Sequence, residues 1–199
     1  MTKPKIIVLE GVNGCGKTTQ IEALKKYFFP RKVLIVAEKN TRIMTAINAV
    51  GGIESFNQMT QALIYLACRS ENLSQINNSD AEIVLYDRYF LSTCVYQNLV
   101  NSSLISLINL AIESFSKLKP NLTIFLHLNS ETSTSRVIER EKSVELNKDR
   151  LVDAHNQIID RYEQSIQRGC PNKIVKIDSM QSKDKVTLDI LREVNTLWR

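Results

Sequence analysis

Long apolar runs are missing from this chain: no stretch approaches the roughly 20 residues that a membrane-spanning helix needs, so a helical anchor is not expected. The opening MTKPKIIVLEG leads directly into a strand-like run, so a secretory leader is not expected. Cysteine is sparse. Cys15, Cys68, Cys94 and Cys170 lie far apart with no CxxC pair, which argues against a zinc site or a disulfide framework and for reduced thiols in a cytoplasmic protein. No internal repeat or low-complexity tract is present; Pro30, Gly51 with Gly52, Pro120 and Pro171 only punctuate boundaries. A basic stripe interleaved with aromatics is also lacking. The net charge of +5 comes from Lys and Arg spread along the sequence, so nucleic acid is not an expected partner.

What is present begins with GVNGCGKTT, Gly11 to Thr19, the full GxxxxGKT spacing directly after the apolar run Ile6, Ile7, Val8, Leu9. Strand, glycine-rich loop and helix-forming QIEALKKYF in that order are the context of a phosphate-binding loop. Glycines let backbone N–H groups turn inward around phosphate oxygens, Lys17 supplies a mobile cation, Thr18 offers a hydroxyl to Mg2+, and the following helix presents its positive end. Gly11, Asn13, Gly14, Cys15, Gly16, Lys17, Thr18 and Thr19 therefore form the expected ATP site. A nucleoside triphosphate is the expected ligand.

At 199 residues and 43% hydrophobic content, the chain fits one domain, residues 1–199, with a full core. Four more apolar runs read as strands, at Val33 to Ala37, Ile83 to Tyr86, Leu122 to Leu128 and Ile174 to Ile177, separated by helix-compatible segments. This alternation predicts an α/β P-loop fold: a five-stranded parallel sheet with helices on both faces and ligands at the C-terminal strand edge, where Gly11, Glu38, Asp87 and Asn129 emerge. Between Ser130 and Gln167 the helical pattern is interrupted by EREKSVELNKDR. By itself that charged segment reads as a solvated face. Beside a phosphate loop it reads as a small basic lid, about residues 137–150. Asp87, directly after IVLY, stands at a strand end where it can hold Mg2+ or orient an attacking phosphate oxygen, or simply cap a turn; Arg88 beside it can grip an anionic acceptor.

Taken together, VLEGVNGCGKTTQ, ALIYLACRSENL, VLYDRYFLSTCVYQ, KPNLTIFLHL and KDRL resemble, in order and approximate spacing, the thymidylate kinases, which move the γ-phosphate of ATP onto dTMP. DRYFLSTCVYQ carries most of the likeness. The resemblance implies that Tyr65 stacks on thymine and that Arg69, four residues on and so on the same helix face, reaches a base oxygen. Without it, Tyr65 reads as a core aromatic and Arg69 as a surface charge. It further implies that Thr93 and Tyr96 line the base and sugar, Tyr96 where a ribose 2'-hydroxyl would intrude, with Gln97 adjoining. A homodimer is implied too, through FNQMTQALIYLA or VYQNLVNSSLISLINLAI.

The departures from the family pattern are specific. Asn13 replaces an Asp that faces the acceptor sugar, and Lys39 stands where an Arg contacts the acceptor phosphate, with Arg42 as a substitute left open. Asn121 replaces the Asp of PDL, and His127, within an apolar run, is expected to pack or cap rather than catalyse. Gly14 fills a loop position that is basic in some members, so the transition-state cation is expected from the lid: Arg150 first, because its DR pair matches the family's lid most closely, or else Arg140, with Arg136, Lys142 and Lys148 nearby and the adenine flank as the other place for Arg136. The function implied is ATP + dTMP to ADP + dTDP. The rivals are a related kinase with another deoxynucleoside or deoxynucleotide acceptor, and a P-loop binding module without transfer.

Overall fold

Side chains of a strand alternate between two faces, and in the run Ile6 to Leu9 both sets are apolar, so both faces must be covered. In the computed structural model, which describes residues 3–98, 110, 119–140, 147–168 and 174–198, this run lies in β1, Lys5–Glu10. β1 is the central strand of a wholly parallel sheet ordered β2-β3-β1-β4-β5. The others are β2 (Val33–Val36), β3 (Ile83–Asp87), β4 (Leu122–His127) and β5 (Ile174–Asp178). All five expected strands form, with ends within a residue or so of the apolar runs.

Among the described residues, the helices that connect and flank them are α1 (Lys17–Phe28), α2 (Arg42–Ala49), α3 (Gln58–Asn77), α4 (Phe90–Tyr96), α5 (Ser130–Arg140), α6 (Lys148–Gln167) and α7 (Lys183–Val194). Ile7 and Leu9 pack with Ile21, Leu24 and Phe28 of α1 and with Val186, Ile190 and Val194 of α7. On the opposite face Ile6 and Val8 pack with Tyr86, with Ala62 and Ile76 of α3, and with Phe90 and Cys94 of α4. Each such fully buried Leu or Ile contributes about 1.5–3 kcal/mol of transfer free energy. A third cluster joins α4 (Leu91, Val95), β4 (Phe125) and α6 (Tyr162), with the Tyr162 ring stacked on Phe125 at 5.0 Å.

This packing positions the site. Register pairs Leu9 with Asp87, so β3 ends level with the start of the phosphate loop. Asn121 Oδ1 accepts from Ile6 N at 2.7 Å and ties the start of β4 to β1, which gives the departure from PDL a structural role. His127 lies 3.6 Å from Glu163 Oε1 through Nε2, and its carbonyl accepts from Ser179 N at 2.8 Å. Of the expected lid, 137–140 end α5 and 147–150 open α6, where Asn147 Oδ1 caps Arg150 N at 3.0 Å. Residues 141–146, Lys142 among them, fall outside the described residues, as do Cys170, Pro171 and most of VYQNLVNSSLISLINLAI. No helix among the described residues is long and apolar enough to cross a membrane.

Candidate active site

The phosphate loop wraps a cavity of about 710 Å3 at the C-terminal edge of the sheet. Gly14 has φ 80°, and a Cβ there would sit 2.6 Å from the Ser133 carbonyl oxygen of α5. A side chain at that position would meet the α5 backbone, so the loop carries no cation there. Gly16, φ 95°, enters α1 with no side-chain cap among the described residues. The first-turn N–H groups of α1 are thus left for an anion, which the helix dipole also favours. Lys17 is 8% exposed, and its Nζ donates to Gly11 O at 2.9 Å, Val12 O at 3.0 Å and Cys15 Sγ at 3.4 Å. Burial pushes its pKa down, partly opposed by Cys15 and Asp87. Three hydrogens and three loop acceptors make a self-satisfied ammonium, which phosphate oxygens must draw away from its own backbone.

At the end of β3, Asp87 Oδ2 lies 3.3 Å from Lys39 Nζ, and its buried Oδ1 has no hydrogen-bond partner among the described residues. Arg88 follows with φ 69°, a conformation that costs a non-glycine residue about 1–2 kcal/mol and needs support from its surroundings. That support is dense. Arg88 N donates to Leu9 O at 3.0 Å; Nη2 donates to Asn13 Oδ1 at 2.8 Å; Nη1 donates to Ser92 Oγ and Tyr162 Oη, both at 3.2 Å; and the guanidinium lies 4.7 Å from the Tyr96 ring centroid. Beneath it is the fully buried Glu10, accepting from Tyr89 N at 2.8 Å, Ser92 N at 3.2 Å, Tyr162 Oη at 3.2 Å and the Ser92 hydroxyl. Burial raises the Glu10 pKa, while the Ser92 hydroxyl and the Arg88 charge pull it back.

A second cavity, of about 310 Å3, opens on the other side of Arg88 and Asn13, which line both. Its walls include Tyr65 and Arg69 from α3, Thr93 and Tyr96 from α4, and Gln97 just after α4. Arg69 is no surface charge: it is 1% exposed, with Nε 2.9 Å from Glu38 Oε1 and Nη2 donating to Tyr89 O at 2.8 Å and Thr93 Oγ1 at 2.6 Å. Burial pushes Glu38 up to about 7 even though Arg69 stands against it. The volume suits a base and sugar, and the rim at Arg88 faces the phosphate loop.

The sequence model of one family, described as "Thymidylate kinase", matches residues 9–190. The chain belongs to the thymidylate kinase family. It is 31% identical to the thymidylate kinase of Oenococcus oeni over 96% of this chain and 95% of the relative. Identity is 30% with that of Anoxybacillus flavithermus, over 96% of each chain, and 28% with that of a Thermoanaerobacter species, over 95% of this chain and 96% of the relative. Like the family, the chain is a nucleoside monophosphate kinase of α/β fold.

For this thymidylate kinase family member, the structure gathers nearly all the expected site residues around two adjoining cavities. Asn13, Gly14, Cys15, Gly16, Lys17, Thr18, Thr19, Lys39, Asp87, Arg88, Arg136 and Arg140 line the first, while Gly11 sits behind it as an acceptor for Lys17. Arg42 is elsewhere, exposed and 2.6 Å from Glu71 Oε1, so Lys39 is the cation that borders the site. Arg136 clasps the loop, donating to Gly14 O at 3.3 Å and Ser179 O at 3.1 Å. Arg150 is exposed at the start of α6 and is not among the residues lining either cavity. Sequence reasoning placed Glu38 at the ligand edge of the sheet without a role, and passed over Glu10, Ser92, Tyr162, Gln61 and the far wall of the first cavity at Ser179, Gln181 and Lys183. Glu10 left one signal, a charge closing an otherwise apolar strand. Tyr162 left none.

Proposed function

We propose that the chain transfers the γ-phosphoryl group of ATP to dTMP, giving ADP and dTDP. The observation that carries this reading is the shared wall: Arg88 and Asn13 separate a phosphate-loop cavity from a base-sized cavity, so two nucleotides bound there bring their phosphates together at one guanidinium. Holding both in line supplies most of what the reaction needs, because an acceptor phosphate oxygen attacks the γ-phosphorus and ADP leaves with the bridging oxygen's electrons, without a covalent enzyme intermediate. Lys17 exchanges its loop carbonyls for donor phosphate oxygens. Arg88 and Lys39 hold the acceptor phosphate, Tyr65 stacks on the base with Arg69, Thr93 and Gln97 around it, and Tyr96 fills the space a 2'-hydroxyl would take. Arg140, on the first cavity's wall, is the better placed lid cation, with Arg150 in reserve on α6 and Arg136 beside the adenine.

Mg2+ fits this site. Asp87 Oδ1, without a partner among the described residues, and Thr18 belong to the same cavity, and a hydroxyl and a carboxylate are the hard oxygen donors the ion takes when waters and phosphates complete its shell. Bound with ATP, it neutralises polyphosphate charge. The buried, unpaired Cys15, Cys68 and Cys94 support a reducing, cytoplasmic setting. Partly exposed Met59 and Leu63 on α3 support a homodimer through FNQMTQALIYLA, which light scattering of the purified chain measures. Function itself is tested by ADP release with dTMP, dUMP, dCMP, dGMP and thymidine as acceptors. dTMP should be preferred; turnover of another acceptor in its place, or of none, removes the reading.

A further inference from the structure

Helix α5 lies directly on the phosphate loop. A Cβ at Gly14 would stand 2.6 Å from the Ser133 carbonyl oxygen, and two α5 side chains reach loop carbonyls: Ser133 Oγ donates to Asn13 O at 2.7 Å, and Arg136 Nη1 donates to Gly14 O at 3.3 Å. A trans peptide points its C=O and N–H in opposite directions. Holding the Asn13 carbonyl therefore fixes the direction of the next N–H, that of Gly14 on the wall of the first cavity. What holds α5 in turn is His155 of α6. It is 7% exposed, and its Nδ1 lies 2.9 Å from Ser133 Oγ and 3.0 Å from Thr134 Oγ1, both residues being fully buried. Ser133 has one hydroxyl hydrogen, and the Asn13 carbonyl takes it, because a carbonyl only accepts. Toward His155 the hydroxyl offers only a lone pair, so Nδ1 carries the ring proton and is the donor. Burial holds the His155 pKa below its usual value, which keeps the ring neutral near neutral pH.

We infer that His155 is a positioning residue for phosphoryl transfer, donating from Nδ1 to Ser133 so that α6 holds the phosphate loop in its nucleotide-binding shape. The inference rests on the donor half of the kinase reading and adds to it a side chain that touches no ligand. The helix that carries His155 opens with Lys148, Asp149 and Arg150, and Tyr162 follows about two turns further on, on the same face. That one face reaches the phosphate loop through Ser133 and the Arg88 guanidinium through Tyr162. The place of the donor decides the effect, not the bulk of the ring. An amide N–H at the position of Nδ1 serves as well, and one a bond further out misses the Ser133 hydroxyl.

The test compares wild type with His155→Asn, His155→Gln, His155→Leu and Ser133→Ala. It reads the ATP dissociation constant by calorimetry without acceptor, KM for ATP and for dTMP, and the melting curve. Asparagine puts its Nδ2 where Nδ1 stands, and glutamine moves the donor to the place of Nε2. His155→Leu and His155→Gln should weaken ATP binding about tenfold, the loss of one buried hydrogen bond, while KM for dTMP stays within about twofold of wild type. His155→Asn should stay within about threefold of wild type for ATP. Ser133→Ala should match His155→Leu, and the two together should be no worse than either, because both act through one contact. Equal ATP affinity in His155→Asn and His155→Gln overturns the inference, and that pair decides it even where the leucine variant does not fold. KM rising alike for both nucleotides, or losses that add in the double variant, overturns it too and leaves His155 a packing residue. Calorimetry needs no acceptor, so failure of wild type to phosphorylate dTMP removes the dTMP reading, while ATP affinity still decides the role of His155.

Discussion

The two cavities on either side of Arg88 are built by different means. The donor side is made chiefly from backbone: left-handed glycines, the uncapped start of α1, and a lysine satisfied by its own loop's carbonyls. The acceptor side is made from side chains brought together from remote parts of the chain, with the buried Glu38 and Arg69 facing each other at 2.9 Å. Backbone dipoles are fixed by the loop's conformation and lose little when one side chain changes. A buried ion pair, by contrast, is strongly destabilised when one partner is removed. Donor-side substitutions should therefore separate activity from stability, and acceptor-side substitutions should couple them.

The sharpest separation is expected at Lys17. Lys17→Ala should lower kcat by about a thousandfold or more, the effect expected of the role proposed for its cation in stabilising charge on the transferring phosphoryl group. The thermal midpoint should barely move. A coupled ADP-release assay beside a melting curve checks this, and turnover within tenfold of wild type would deny Lys17 its role.

Arg69→Met should do the reverse and cost about 3 kcal/mol in denaturant unfolding by leaving Glu38 buried without its counter-charge. Adding Glu38→Gln should restore most of that stability while KM for dTMP stays raised about tenfold. Recovery of both together would show that Arg69 acts only as a structural partner.

Glu38 also makes the acceptor side sensitive to pH. Its folded pKa of about 7 lies above the usual carboxylate value of 4.5, so protonation favours the folded state. The stability it contributes is fully present below pH 4.5 and is lost as pH rises to about 7, on the order of 3 kcal/mol at most. Wild type should lose stability relative to Glu38→Gln across that window; a wild type that instead gains on the variant as pH rises would mean the carboxylate is held ionised. The smallest effect is expected where the two sides meet. Tyr162→Phe removes the hydroxyl beneath Arg88 and should cost about 1 kcal/mol and a few-fold in kcat/KM, with KM for both nucleotides moving together.

The same contrast explains what could be read beforehand. The donor side is a contiguous stretch whose chemistry is local, so Gly14, Gly16, Lys17 and Thr18 were legible from spacing alone. Strands were legible too, since a parallel sheet covered on both faces needs continuous apolar runs. Tyr65, Arg69, Thr93, Tyr96 and Gln97 came from family likeness, which gave positions and not partners. The burial of Arg69 against Glu38 and the Tyr162 hydroxyl under Arg88 depend on α3, α4 and α6 meeting across the fold, and no local pattern encodes that meeting. The choice between Lys39 and Arg42 likewise needed the fold, because it turns on which side of the short turn at Glu38–Asn40 faces Asp87.

Arg88 belongs to both cavities at once, pinned by an asparagine of the loop and by a tyrosine that also borders the neighbouring site. On the proposed reading, a nucleotide arriving on either side meets a positive charge that the other will also use. The free energy of that encounter cannot be assigned to one ligand. Whatever factor a bound donor imposes on acceptor affinity, a bound acceptor must impose on donor affinity, and a dissociation constant measured for either alone describes a half-assembled kinase.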